Sequence, residues 1–265
     1  MRLADSRVLV TGASRGIGAS LVHGLRDRGA SVALVARPST VLDTVAADVG
    51  GRAYGCDLAD LTALPGLVDR VLADGPVDVL INNAGVSNVG WFLDRTPAEI
   101  DQAITVNLLA PMHLCRLLLP GMLDRGRGHV VNVSSMAAVL APPGLAAYGA
   151  SKAGLSHFTA GLRADLRDEP IGFTTVHLGS VHTEMDDEAR SYGPLRQLAE
   201  KSAGRDVTPM QVLVRAVLDA VESGAAEVRV PAAMAPLAAL TNLPRKVGRV
   251  VFKRAMAKEL RTDLR

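Results

Sequence analysis

The sequence predicts one α/β domain, a doubly wound and mostly parallel seven-stranded sheet with helices on both faces. Three observations carry this. Short, nearly all-apolar runs alternate with longer helical patterns, as strands covered on both faces require. The first run leads directly into a glycine-rich turn, TGASRGIG, and then into a helix. The 265 residues are 48% hydrophobic and include 25 glycines but only 3% aromatics. That composition allows a sizeable core, tight turns and close helix packing.

The elements follow in order. RVLVT (7–11) is a strand ending at glycines, and residues 16–28 form a helix stopped by Gly29. SVALVA (31–36), RAYGCD (52–57), VDVLIN (77–82), HVVNVS (129–134), IGFTTVHL (171–178) and AEVRVP (226–231) supply the other strands. Helical patterns between them include about 101–119, 147–168 and 208–223. No repeat, low-complexity tract or linker precedes about residue 235. Residues 1–231 are therefore read as one domain and 232–265 as a tail.

The net charge of +2 makes no demand for nucleic acid. Cys56 and Cys115 are far apart and suggest neither a metal site nor a disulfide framework, which fits a reducing cytoplasm. No hydrophobic signal region opens the chain, and no uninterrupted apolar span is expected to reach membrane length.

The glycine-rich turn points to a dinucleotide. Gly12, Gly16 and Gly18, with Ser14, Arg15 and Ile17 between them, sit where a phosphate can approach the backbone and the free N–H groups of the next helix. The spacing lacks the lysine of a nucleoside-triphosphate loop. The second strand ends in Ala36-Arg37, without the acid that grips an NAD ribose. Arg15 and Arg37 suit a 2′-phosphate. NADP(H) is the expected cofactor and NAD(H) the alternative; ordinary surface arginines are the plain reading of both residues.

Tyr148 and Lys152 lie in AAYGASKAG, spaced to share one helical face. A free phenol titrates near ~10, too high for a good proton shuttle, and a nearby ammonium lowers it. Tyr148 is therefore read as general acid or base and Lys152 as the group that tunes it. Ser135, at the end of the fifth strand, can donate to a substrate oxygen as charge builds there.

TGASRGIG, NNAG (82–85), the Ser134-Ser135 pair and YGASK occur in this order. With them the chain resembles the short-chain dehydrogenase/reductase family in its compact single-domain type, over about residues 5–231. The resemblance implies a Rossmann-type sheet and hydride transfer between NAD(P) and a carbonyl or alcohol. It implies that Lys152 also holds the nicotinamide ribose. Asn107 in TVNLLAP would keep a water path to that lysine. Asn83, Ala84 and Gly85 would border the adenosine and ribose, and Asp57 the adenine edge, although a turn aspartate is the plain reading of Asp57. Ser135 stands thirteen residues before Tyr148, the spacing the family favours, and Ser134 is read as structural.

After the sixth strand the family usually carries PGxVxT. Here Leu178 replaces the proline while Gly179, Val181 and Thr183 remain. The change bears on the stiffness of the loop; Val181 and Thr183 are expected against the carboxamide. His182 is read as a solvated or loop-packing residue. Residues 184–204 are expected to cover the substrate, with Leu195 and Leu198 on one face, or to form a plain connector. Between 245 and 265 eight basic residues face two acidic ones, a net +6 beside an apolar stripe. This basic amphipathic tail reads as a peripheral membrane contact, or as a helix packed on its own domain or a sister subunit.

The sequence-level conclusion is an NADP-dependent oxidoreductase for a small, apolar carbonyl or alcohol, cytoplasmic and homo-oligomeric. A dinucleotide sensor without turnover and a membrane-associated lipid or steroid dehydrogenase are the competing readings.

Overall fold

The computed structural model describes residues 1–201 and 207–231, with side chains described outside 198–201. The expected tail at 232–265, and the part of the cover at 202–204, lie outside the described residues. In chain order the elements are β1 (Arg7–Thr11), α1 (Gly16–Asp27), β2 (Ser31–Ala36), α2 (Thr40–Asp48) and β3 (Arg52–Gly55). Then come α3 (Leu64–Ala73), β4 (Val79–Asn82), α4 (Pro97–Ile104), α5 (Ala110–Asp124) and β5 (Gly128–Ser135). They are followed by α6 (Ala137–Leu140), α7 (Ala146–Asp165), β6 (Ile171–Leu178), α8 (Glu184–Ser191), α9 (Gly193–Lys201), α10 (Met210–Ser223) and β7 (Glu227–Val230).

All seven strands are parallel, in the order β3-β2-β1-β4-β5-β6-β7. The order reverses between β1 and β4, where a doubly wound sheet opens a crevice at its carboxyl edge. Alternate strand residues feed two cores. Val8, Val10, Val79 and Ile81 pack with Leu21, Leu25, Leu213 and Val217 on one face. Leu9, Leu80 and Val130 pack with Leu67, Leu114, Leu118 and Met122 on the other. Two-sided burial is why these strands read as unbroken apolar runs.

Several boundaries differ from expectation. The helix expected near 101 starts at Pro97, because Thr96 and Glu99 form a capping box. A π-helical turn at Thr105–Leu109 then separates α4 from α5. The third strand ends at Gly55, so Cys56 and Asp57 lie beyond it. The fourth begins at Val79, because Asp78 is engaged by Arg7, whose N–H donates to Oδ2 at 2.9 Å. One correction concerns membrane length: the continuous helical run Pro97–Asp124 is long and apolar enough, by length and composition, to cross a bilayer. Half of its most apolar stretch is buried inside the protein, which accounts for the composition.

His129 has a structural cost that pH can reveal. Its ring is buried, with Nε2 2.8 Å from Thr174 Oγ1, and Gly172 leaves the room it needs. Burial pushes its pKa down to about 4. The unfolded chain therefore takes up the proton first as pH falls. The stability contributed by neutral His129 is complete above about 6.5 and lost as pH falls towards 4. Between pH 7 and 4.5, wild type should lose about 2 kcal/mol more stability than His129→Gln. Urea denaturation at both pH values checks this; parallel losses in the two proteins would contradict it.

Candidate active site

The crevice begins with a turn that only glycine fits. Gly12 has φ +66°, and a Cβ there would lie 2.8 Å from the Ala84 Cα. A Cβ at Gly18 would stand 2.0 Å from the Gly12 carbonyl oxygen. Asn83 braces the turn: its Nδ2 donates to the carbonyls of Thr11 at 3.0 Å and Gly12 at 3.3 Å. The N–H groups of Asn83 and Ala84 donate to Thr11 Oγ1 at 3.0 and 3.1 Å. Thr11 was not singled out from the sequence; its signal was a polar residue closing an apolar strand. The α1 N-terminus is thus held open at the β1/β4 switch, a setting that fits a pyrophosphate. Ser14 is half-buried in the turn, and Ile17 faces the cleft beyond it.

The charged candidates lie at the rim. Arg37 is exposed at the end of β2 and makes no hydrogen bond or ion pair among the described residues. Arg15, also exposed, pairs with Glu184 at the start of α8. Asp57 is exposed beyond β3, where its Oδ1 accepts from the Ala59 N–H at 2.9 Å, the geometry of a turn aspartate.

The catalytic candidates converge at the end of β5. Ser135 closes that strand, and its Oγ accepts the Ala137 N–H at 3.1 Å while lying in hydrogen-bonding reach of the Tyr148 hydroxyl. Lys152, one turn along α7 from Tyr148, is 4% exposed and donates from Nζ to the Val133 carbonyl at 2.8 Å. Burial pushes its pKa down to about 8. Asn107, in the π turn, is fully buried. Its Oδ1 accepts the Val86 N–H, and its Nδ2 donates to the Val86 carbonyl and to Ser151 Oγ, all at 2.9 Å. Gly85 makes this approach feasible: a Cβ there would lie 3.1 Å from Asn107 Oδ1 and 3.4 Å from Lys152 Nζ. Ser134 turns to the other side and donates to the Lys152 carbonyl at 3.0 Å.

One expectation is corrected. The phenol of Tyr148 was expected to be lowered by the lysine. Burial pushes it up instead, only partly opposed by the bond with Ser135. The ammonium lies 5.9 Å from the ring centroid and is spent on the Val133 carbonyl, so desolvation dominates.

A cleft of about 240 Å³ opens over Ser135 and Tyr148. Its walls include Met136, Leu140, Leu145, Met185 and Leu195. Helices α8 and α9 contribute Met185 and Leu195 to these walls; the Leu198 side chain lies outside the described residues. The Leu178 loop is pinned by its backbone: the Leu178 carbonyl accepts from Met136 N–H at 2.6 Å, and Gly179 N–H donates to Val230 at 2.7 Å. Val181 is buried beside the cleft, and Thr183 caps α8 by accepting the Asp186 N–H at 3.2 Å. His182 is exposed. Sequence reasoning missed the buried chain behind the site, in which Asn82 donates to Asn132 and Asn132 to Thr159, each at 2.8 Å. Its signal was a pair of asparagines inside apolar strands.

Comparison with known proteins agrees with this fold. Residues 6–192 match the family model described as short chain dehydrogenase. An uncharacterised oxidoreductase of Mycobacterium tuberculosis is 38% identical over 213 residues, 76% of this chain. The match spans less than two thirds of that relative's length, 62%. The ketoacyl reductase HetN of Nostoc sp. is 37% identical over 85% of this chain and 78% of its own length. Among solved structures, a short-chain dehydrogenase from Sphingobium yanoikuyae in complex with NADPH superposes with TM-score 0.77 at 27% identity, covering 98% of this chain and 96% of that one. A metagenomic short-chain oxidoreductase in complex with NADP is 40% identical, with TM-score 0.63 over 70% of this chain and 88% of that one.

The buried ammonium yields a prediction. The folded pKa of Lys152 is depressed, so between about 8 and 10.5 the unfolded chain holds the proton that the folded chain has released. Its burial therefore costs most at pH 7, and stability recovers as pH rises through that window. Without cofactor, Lys152→Met should be about 2 kcal/mol more stable than wild type at pH 7, after allowing for the lost Val133 bond. The gap should close by about pH 10. Denaturant titrations at both pH values test this, and a variant less stable than wild type at pH 7 would refute it.

Proposed function

Because this chain belongs to the short-chain dehydrogenase family, we propose that it is an NADP-preferring oxidoreductase. It would interconvert a carbonyl and a secondary alcohol on an apolar substrate. The observation that carries the reading is the convergence of Ser135, Tyr148 and a buried Lys152 beneath an apolar cleft. When bound, the nicotinamide supplies or accepts the hydride.

The chain's own residues would handle orientation and the proton. The Ala137 N–H occupies one lone pair of Ser135 Oγ, and the Ser135 hydrogen, which otherwise favours the Tyr148 phenolate, would turn to a substrate oxygen. The Tyr148 hydroxyl would deliver the proton in reduction and take it back in oxidation. Its raised pKa keeps the phenol protonated at neutral pH, the form that reduction requires. Lys152 would stabilise phenolate whenever Tyr148 gives up its proton, and it would hold the ribose. Asn107, saturated by Val86 and Ser151, would fix the lysine's surroundings and leave a path for water. The apolar walls exclude bulk water from the reacting oxygen.

The preference for NADP(H) rests on charge. An acid at the end of β2 would repel a 2′-phosphate; Arg37 stands there instead, exposed and uncommitted among the described residues. Two similar proteins are described as complexes with NADPH and NADP, which supports the reading. A homo-oligomer in the cytoplasm remains part of the proposal, as does binding of the 232–265 tail to anionic membrane.

Two measurements test it. Tyr148→Phe should keep cofactor affinity and lose about 10²–10⁴-fold in turnover; near-normal ketone reduction by that variant would sink the mechanism. NADPH should bind more tightly than NADH, with a gap that narrows as salt rises. Arg37→Asp should abolish or reverse that gap, whereas equal binding of both cofactors by wild type would remove the preference.

A further inference from the structure

We propose that Arg190 anchors a carboxylate at the far end of an otherwise apolar carbonyl substrate. The inference rests on the catalytic reading of the cleft and names its substrate class.

Arg190 and Asp186, one turn apart on α8, line the same cleft as Ser135 and Tyr148. Among the described residues lining it, these two alone are charged. Arg190 Nε donates to Asp186 Oδ2 at 2.6 Å, and their side chains are 30% and 11% exposed. A pair that only braced a helix would gain little and would sit best with its heads in water. This pair is instead drawn into an apolar wall, where charge is costly unless it has a partner.

The geometry leaves one edge of the guanidinium for a ligand. Asp186 takes the Nε side. Nη1 and Nη2 make no hydrogen bond among the described residues. Two parallel N–H groups on that edge match the two oxygens of a carboxylate. Asp186 is itself held, because its N–H donates to Thr183 Oγ1 at 3.2 Å and to the Thr183 carbonyl at 2.9 Å. It therefore acts as a positioning residue that aims the arginine. Of the other acids on α8, Glu184 pairs with Arg15, Asp187 is exposed, and Glu188 accepts from Ser87 Oγ at 3.3 Å. Because Arg190 and Asp186 cancel at long range, recognition here works by contact geometry. Catalysis at Ser135 and Tyr148 would hold the carbonyl end and the apolar walls the middle.

The test uses the full-length protein with NADPH. Keto acids of increasing chain length, each carrying its carboxylate at the far end, are compared with their methyl esters. At the length that bridges the cleft, wild type should show a KM about tenfold lower for the acid than for the ester. Arg190→Gln should raise the acid KM by about that factor, leaving kcat, the ester KM and NADPH affinity little changed. Arg190→Lys should restore part of the preference. No acid preference at any length would overturn the proposal, as would equal damage to acid and ester or a loss confined to NADPH affinity. A second measurement separates this inference from the catalytic reading: calorimetry of octanoate and methyl octanoate with the NADPH-loaded protein. If no ketone is turned over but octanoate loses affinity selectively in Arg190→Gln, the anchor stands and the catalytic reading falls. If octanoate binds wild type and Arg190→Gln alike, the anchor falls whatever the turnover.

Discussion

The buried ammonium of Lys152 is the constraint on which the site depends. Among the described residues it has no carboxylate partner, and a single carbonyl, that of Val133, receives it at 2.8 Å. A cation desolvated in this way is tolerable only if the surroundings are close-packed and polar in the right places. Those requirements explain the small residues around it. Gly85 lets Asn107 and the ammonium approach the β4 loop. Gly149 brings α7 within 3.0 Å of the Ala137 carbonyl, measured to the position a Cβ would take, and Gly154 clears Leu108 of the π turn. Helix α7 thus packs closely on α6 and the π turn, and Tyr148 comes with it.

The π turn has a related cause. An ordinary helix through Thr105–Leu109 would satisfy its own backbone and rotate Asn107 differently. The widened turn places that amide where Val86 and Ser151 take both of its N–H donors and Val86 N–H donates to its oxygen. Such turns often accompany functional positions. Here the local departure from regular helix and the buried polar group are one feature, since neither would be stable without the other.

The sheet was legible because two-sided burial leaves its mark directly on the chain. The inner strands show as largely apolar runs punctuated by glycine turns, whereas the edge strands RAYG and EVRV are mixed. The motif residues were legible for a different reason: Tyr148 and Lys152 are improbable neighbours in a stretch of alanine, glycine and serine. Helix ends were less so. Thr96 and Glu99 form a capping box that could have been read locally, whereas the π turn depends on contacts with α7 and β4. The same distinction explains the reversed expectation for Tyr148. Sequence spacing puts an ammonium nearby, but it does not reveal that Val133 claims it or how far burial raises the phenol. Arg190 was invisible as a site residue because a lone Asp-Arg pair in a polar segment reads as a solvated helix face. Only the fold turns that face towards the cleft.

The rim charges complete the physical picture. Arg15 was expected to face a phosphate, and Glu184 pairs with it. The two accounts are compatible on energetic grounds. Both side chains are largely exposed, at 66% and 73%, and an exposed pair contributes about 0–1 kcal/mol. A doubly charged phosphate offers an arginine more hydrogen-bond acceptors and more charge than one carboxylate does. On the proposed NADP(H) reading, a 2′-phosphate would displace Glu184, which opens the first turn of α8. That same helix carries Arg190 on the cleft wall. The proposed cofactor preference and the proposed substrate class thus meet on one short helix whose first residue pairs with Arg15 of the glycine turn and whose later residues line the cleft.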